Sequence, residues 1–212
     1  MYEKRGCSLT NRQKPVVVGI SGASGIDVAK ATIDRLLALQ LPVWCTVSPA
    51  ARQVWHQEVA QPFKETVSAW GEDPNFSYFA SSNLRAPMAS GSVSSRGMVI
   101  VPCSMGTIAA IAHGLSRNLL QRSADVCIKE NRKLIIVPRE TPLSVIHLEN
   151  MLSLARLGVT ILPMQPAFYL KPKTIDQIVE YFVDKIIVSL DGSADLRAFH
   201  QYHYDNAEQE EM

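Results

Sequence analysis

What the chain lacks narrows its chemistry first. Its four cysteines, Cys7, Cys45, Cys103 and Cys127, include no CxxC pair, so their spacing points to neither a zinc site nor thioredoxin-like exchange. They read as reduced thiols of a cytoplasmic protein. Neither sign of charge is in surplus: 21 Lys+Arg stand against 20 Asp+Glu, for a net charge of +1. Bulk nucleic-acid binding needs a basic face, and this balance argues against it. No apolar run approaches the roughly 20 residues of a membrane span, and Met1–Lys14 has no apolar segment of the secretory kind. Several catalytic signatures are missing too. There is no GxGxxG, no P-loop GK[ST], no HExxH and no acidic metal cluster. Gly19-Ile20-Ser21-Gly22-Ala23 fails the GxSxG elbow because position 23 is alanine.

What is present is an alternation of apolar strands and amphipathic helices. With 212 residues, 47% of them hydrophobic, the chain suits one α/β domain with a real core. Strands are expected at Pro15–Ile20, Pro42–Val47, Met98–Pro102, Leu134–Val137 and Val159–Leu162. Helices are expected at Ile26–Gln40, from Ser48-Pro49 to about Ala60, over Leu143–Leu157 with Gly158 as the C′ residue, and over Thr174–Leu190. Gln61–Arg96, with three prolines, reads as an irregular insertion. The expected organisation is a polar extension over residues 1–14, a flavoprotein-sized domain over 15–190 and a polar tail over 191–212. Five such strands predict a doubly wound parallel sheet with helices on both faces, in the flavodoxin-like order 2-1-3-4-5.

That order puts a switch point between the first and third strands, where ligands bind. The loops there are Ser21–Gly25 and Cys103–Thr107, the two richest in small hydroxylic residues. Strand, glycine loop and helix together are the geometry that sets backbone N–H groups around a phosphate. The pattern predicts a phosphate-bearing ligand such as FMN. Arg139 ends the fourth strand, with Glu140 beside it and Arg122, Lys129, Arg132 and Lys133 upstream. The last two read as a solvated charge run. Cys103 suits packing better than nucleophilic catalysis, and His147 falls on a helical pattern.

Taken together the residues resemble a known family. Gly22-Ala23-Ser24-Gly25, Ser48 with Ala50-Ala51, Ser90-Gly91-Ser92, Pro102-Cys103-Ser104-Met105-x-Thr107, Asn118-Leu119-x-x-Arg122, Lys129-Glu130, Pro138-Arg139-Glu140-x-Pro142, His147-Leu148-x-Asn150-Met151 and Pro166-Ala167-Phe168-Tyr169 look like the UbiX-type flavin prenyltransferases. The resemblance spans about Pro15 to Leu190. It implies a flavodoxin-like subunit of a homododecamer, with sites at subunit contacts and no metal. The implied reaction joins dimethylallyl from dimethylallyl phosphate to N5 and then C6 of reduced FMN. The product would serve a UbiD-type decarboxylase, as in ubiquinone biosynthesis. A prenyl monophosphate and a diphosphate satisfy the pattern equally.

By that resemblance Gly22, Ala23, Ser24, Ser48, Ser104, Met105, Gly106, Thr107 and Arg139 would hold FMN, with Ser24 near N5 and Glu58 by the ring. Ser90, Gly91, Arg122, Lys129, Glu140, Tyr169 and Lys185 would surround the prenyl phosphate, with Lys129 and Glu140 acting in catalysis. The chain departs from the family in having Lys185 where arginine is usual. Its tail offers Phe199, Tyr202 and Tyr204 in place of a tryptophan, and Ile26-Asp27-Val28-Ala29 follows the glycine loop. Two rival readings share the fold. An FMN-dependent cysteinyl decarboxylase would need an early catalytic histidine and a PxMN motif, but Pro163-Met164 is followed by Gln165. A non-enzymatic FMN carrier leaves Arg122, Lys129 and Glu140 without a purpose.

Overall fold

The structure, a computed structural model, describes residues 13–191. Cys7, most of the N-terminal extension and the tail aromatics lie outside the described residues. Six parallel strands form one sheet in the order β3-β2-β1-β4-β5-β6. These are β1 (Val16–Ile20), β2 (Val43–Val47), β3 (Phe76–Tyr78), β4 (Gly97–Cys103), β5 (Leu134–Pro138) and β6 (Thr160–Ile161). Every residue of β1, β4 and β5 is buried, as expected for strands covered on both faces. On one face α1 (Ile26–Ala38), α2 (Pro49–Glu58) and α7 (Ile175–Asp191) pack against Val16, Val18, Val99 and Ile135. On the other, α4 (Met105–Ala112), α5 (Leu119–Lys129) and α6 (Val145–Arg156) enclose Met98, Ile100 and Ile136. The three-layer arrangement matches the sequence reading.

The five expected strands take their expected order. The correction concerns residues 61–96, which hold α3 (Phe63–Trp70) and the edge strand β3. An aromatic cluster organises them. Trp55 meets Phe63 and Trp70 edge-on, at centroid distances of 5.3 and 6.0 Å, and Trp70 meets Phe76 at 5.4 Å. The Trp55 and Trp70 indole N–H groups donate to Gln61 O and Asp34 Oδ1, so their polar edges are satisfied while the rings are buried. Among the described residues no helix is long and apolar enough to cross a membrane.

At the switch point one side chain reinforces the backbone bond from Ser21 N to Pro102 O (3.2 Å). Buried Ser21 donates its hydroxyl to Pro102 O (3.1 Å) and accepts from Ser104 N (2.7 Å). Those bonds tie the loop after β1 to the loop after β4. Ser21→Ala keeps the shape but removes the acceptor for the Ser104 N–H. We expect urea denaturation of this variant to show a loss of about 1–3 kcal/mol, the cost of a desolvated donor; an unchanged midpoint would show that the seam carries no stability.

Candidate functional site

The C-terminal ends of β1, β2, β4 and β5 converge on a crevice. Ser48 caps α2 by accepting from Ala51 N (3.1 Å), and Ser104 caps α4 by accepting from Thr107 N (3.3 Å). The Ser104 hydroxyl also donates to Thr107 Oγ1 (3.0 Å). A Cβ built on Gly106 meets nothing within 4 Å, so the first turn of α4 borders open space. With Thr107 N taken by the Ser104 cap, what this turn offers an anion is the Gly106 backbone and the positive helix end. Met105 and Ala23 are buried in the core, and Ala23 N is already bonded to Ser21 O.

The glycine loop differs from its expectation. The N–H groups of Gly25 and Ile26 donate to Glu58 Oε2, both at 2.9 Å. The N-terminus of α1 is therefore occupied by a carboxylate of α2 and is not left for a phosphate. Gly22 is required by packing: a Cβ there would sit 2.5 Å from Ala50 Cβ. Gly25 adopts φ +108, and a Cβ would also press on Met164 Sδ at 2.9 Å. Burial pushes the Glu58 carboxyl up. Hydrogen bonds from the Ser24 hydroxyl and the Ile26 and Gly25 N–H groups, with the charge of Arg139, outweigh it and hold the group below the ordinary value. Ser24, Glu58 and Arg139 thus form one electrostatic unit. Beside Arg139 and Glu140 a cavity of about 380 Å³ opens under α6, lined by Met151, Leu152, Ile161 and Met164. Hydroxyls, the open Gly106 turn of α4, Arg139 and an adjoining apolar cavity fit the phosphate and ring of a flavin mononucleotide.

The remaining expected residues are elsewhere. Arg122 on α5 donates to Ala89 O (3.1 Å) and pairs with Asp125 (2.8 Å). Lys129, at the end of the same helix, pairs with Glu130 and packs against Gly91, where a Cβ would lie 2.6 Å from Lys129 Nζ. Ser90 and Gly91 therefore belong to the α5 cluster. Helix α5 leads into the start of β5, whereas Arg139 and Glu140 follow its end. That five-residue strand spans about 17 Å. Lys129 and Arg139 thus lie toward opposite ends of β5, along the strand direction. A third group sits on α7, where Lys185 Nζ lies 5.6 Å from the Tyr181 ring. Burial and the neighbouring Tyr169 raise the Tyr181 phenol above its ordinary value. Tyr169, on the 3-10 turn Phe168–Leu170, is exposed.

Two alternatives lose their basis. Burial pushes the Cys45 and Cys127 thiols up to about 12 and that of Cys103 higher still, so none is a reactive thiolate. His147 is occupied in capping α6, because its N–H donates to Ser144 Oγ and its Nδ1 accepts from Ser144 N. Sequence reasoning missed Arg132, read as solvated, whose guanidinium donates to Val93 O and Gly91 O.

A lowered Glu58 pKa stabilises the fold above the ordinary carboxylate value of 4.5, and that stability is lost as pH falls through the lower folded value. We expect the difference in urea stability between the protein and Glu58→Gln to be constant near neutral pH and to shrink below about pH 4.5. A difference that persists at pH 3 would mean the carboxylate is not what caps α1.

The pattern of the family described as Flavoprotein matches residues 6–187. A flavin prenyltransferase UbiX from Alkalihalophilus pseudofirmus is 46% identical over 183 residues, which is 84% of this chain and 92% of that protein. The crystal structure of AnUbiX (PadA1) in complex with FMN and dimethylallyl pyrophosphate superposes with a TM-score of 0.84 at 34% identity, covering 91% of this chain and 98% of that one. A dodecameric FMN-dependent UbiX-like decarboxylase from Escherichia coli O157:H7 gives 0.80 at 35% identity, over 89% and 98% of the two chains. The FMN-dependent cysteine decarboxylase SpaF, at 15% identity and a TM-score of 0.56, shares the fold alone. This chain belongs to the flavoprotein family and, within it, to the UbiX flavin prenyltransferases.

Proposed function

We propose that the protein transfers a dimethylallyl group from dimethylallyl phosphate to N5 and then C6 of reduced FMN. One observation carries the reading. The chain carries two separate groups of cations, Arg139 near the Ser104-capped start of α4, and Arg122 with Lys129 along α5, where each is held by a neighbouring carboxylate, Asp125 or Glu130, that an arriving phosphate would displace. Two phosphate esters need two such groups, whereas a flavin carrier needs one. The reduced flavin supplies the nucleophilic ring. In this reading Gly22, Ser24, Ser48, Ser104, Gly106, Thr107 and Arg139 surround the flavin, with Ser24 near N5 and Glu58 by the ring. Arg122 and Lys129, with Ser90, Gly91 and Lys185, neutralise the phosphate as its C–O bond breaks. The Tyr169 face stabilises positive charge developing on the allyl group. Glu140 carries the proton to the departing phosphate.

The separation of the clusters supports a site assembled from several copies of the chain. Helix α6 presents Val145 (69% exposed) and Ile146 (67%) outward, with Leu148 and Leu152 also exposed. An apolar face of that kind marks a contact surface. A dodecamer is the assembly proposed here, acting in the cytoplasm and supplying its product to a UbiD-type decarboxylase.

Protein incubated anaerobically with reduced FMN and dimethylallyl phosphate is expected to yield a flavin heavier by one prenyl group in mass spectrometry. Unmodified FMN from folded protein would refute the activity. Lys129→Ala is expected to slow turnover by on the order of tenfold or more, the weight of a hydrogen bond to a charged group, while FMN still binds. Loss of FMN from this variant, seen in its absorbance spectrum, would place Lys129 in the flavin site instead.

A further inference from the structure

We propose that Arg132 is a positioning residue for the prenyl phosphate, acting as a latch that holds the Ser90–Val93 turn against the Lys129 ammonium. The inference rests on the transferase reading above and adds a residue outside its site. Helix α5 ends in a turn that delivers Arg132 to this place. Asn131 N donates to Ile128 O and Arg132 N to Cys127 O, and Asn131 is left-handed at φ 51. That is the paired hydrogen-bond pattern that closes a helix at a C′ residue. It turns the chain so that the Arg132 guanidinium reaches the 90–93 turn, with one nitrogen on Val93 O at 2.7 Å and another on Gly91 O.

The turn is closed internally by Ser90, whose hydroxyl accepts from Ser92 N and whose carbonyl accepts from Val93 N, both at 3.3 Å. Those bonds shape the turn but do not fix where it sits. The charged fork of Arg132 does, because two charge-assisted bonds to successive parts of one turn set both its position and its tilt. The Arg122 bond to Ala89 O holds the upstream end. Held there, Gly91 fits directly against the Lys129–Glu130 pair, and any side chain would strike it. The ammonium, paired with Glu130, is thereby bounded on the Gly91 side before a phosphate arrives. Confinement lowers the ordering cost of binding that phosphate. Lysine at position 132 could make only one of the two bonds, as a point charge.

The test compares the full chain with Arg132→Gln and Arg132→Lys. Arg132→Gln is expected to raise KM for dimethylallyl phosphate about tenfold, with a smaller change in kcat. FMN affinity and the urea midpoint stay near those of the parent, and Arg132→Lys falls between. Inorganic phosphate, titrated calorimetrically, should bind the Gln variant more weakly by a similar factor, which needs no turnover. Gly91→Ala, which leaves the latch in place but displaces the ammonium, should raise KM in the same way. Unchanged KM and phosphate affinity in an active protein would overturn the latch. So would a loss of stability and of FMN affinity alongside the rise in KM, which marks a merely structural residue. A parent protein that makes no prenylated flavin, while Arg132→Gln still loses phosphate binding, would reject the activity but not the latch.

Discussion

The Ser21 hydroxyl sits where the paired strands β1 and β4 lead off to different helices, and it adds a side-chain tie to the backbone bond from Ser21 N to Pro102 O. One oxygen accepts from Ser104 N and donates to Pro102 O, so the loops after β1 and β4 form one rigid floor. Above it, the three helices that begin at the crevice have three different caps. Helices α2 and α4 are capped by their own serines, leaving the Gly106 turn open. Helix α1 is capped by Glu58, from another helix. The division gives the site its polarity. An anion is drawn to α4 and Arg139, while a protein carboxylate already stands at α1, hydrogen-bonded by Ser24. The charge of Arg139 acts on that same carboxylate, so anionic and cationic side chains share this part of the crevice.

The second constraint is distance. Arg122 and Lys129 are seven residues apart on one helix, about 10 Å, and β5 puts Arg139 and Glu140 at the far end of a strand. Rigid elements with buried cores do not bend to close that gap. In the proposed reaction, bringing the two clusters to one substrate takes another copy of the chain. The exposed apolar face of α6 and the exposed Phe168 and Tyr169 supply surface for such a contact. The Arg132 latch fits the same logic, because a group that must act across an interface has to be fixed before the partner arrives.

Much of the fold is legible from residues alone. The apolar runs mark the buried strands, their number of crossings sets the order, and the small hydroxylic loops mark the switch point. What the sequence hides is non-local. Residues 61–96 look irregular because α3 and β3 are held by aromatics, Trp55, Phe63, Trp70 and Phe76, that meet only in the folded chain. Glu58 looks like a solvated helix carboxylate because its partners are some thirty residues upstream. Gly22 suggests a phosphate cradle, yet Ala50 is what requires it. Arg132 looks like part of a charge run; Asn131 just before it is the available signal, since asparagine is a common left-handed helix stop.

The central claim is that a complete site takes its α5 cluster and its Glu140 from different copies of the chain. Co-expression of Lys129→Ala chains with Glu140→Gln chains tests it directly. Random assembly then places intact versions of both residues at a share of the interfaces. The account predicts prenylated flavin at a rate well above the sum of the two variants assembled separately. A mixed preparation no more active than that sum would contradict it.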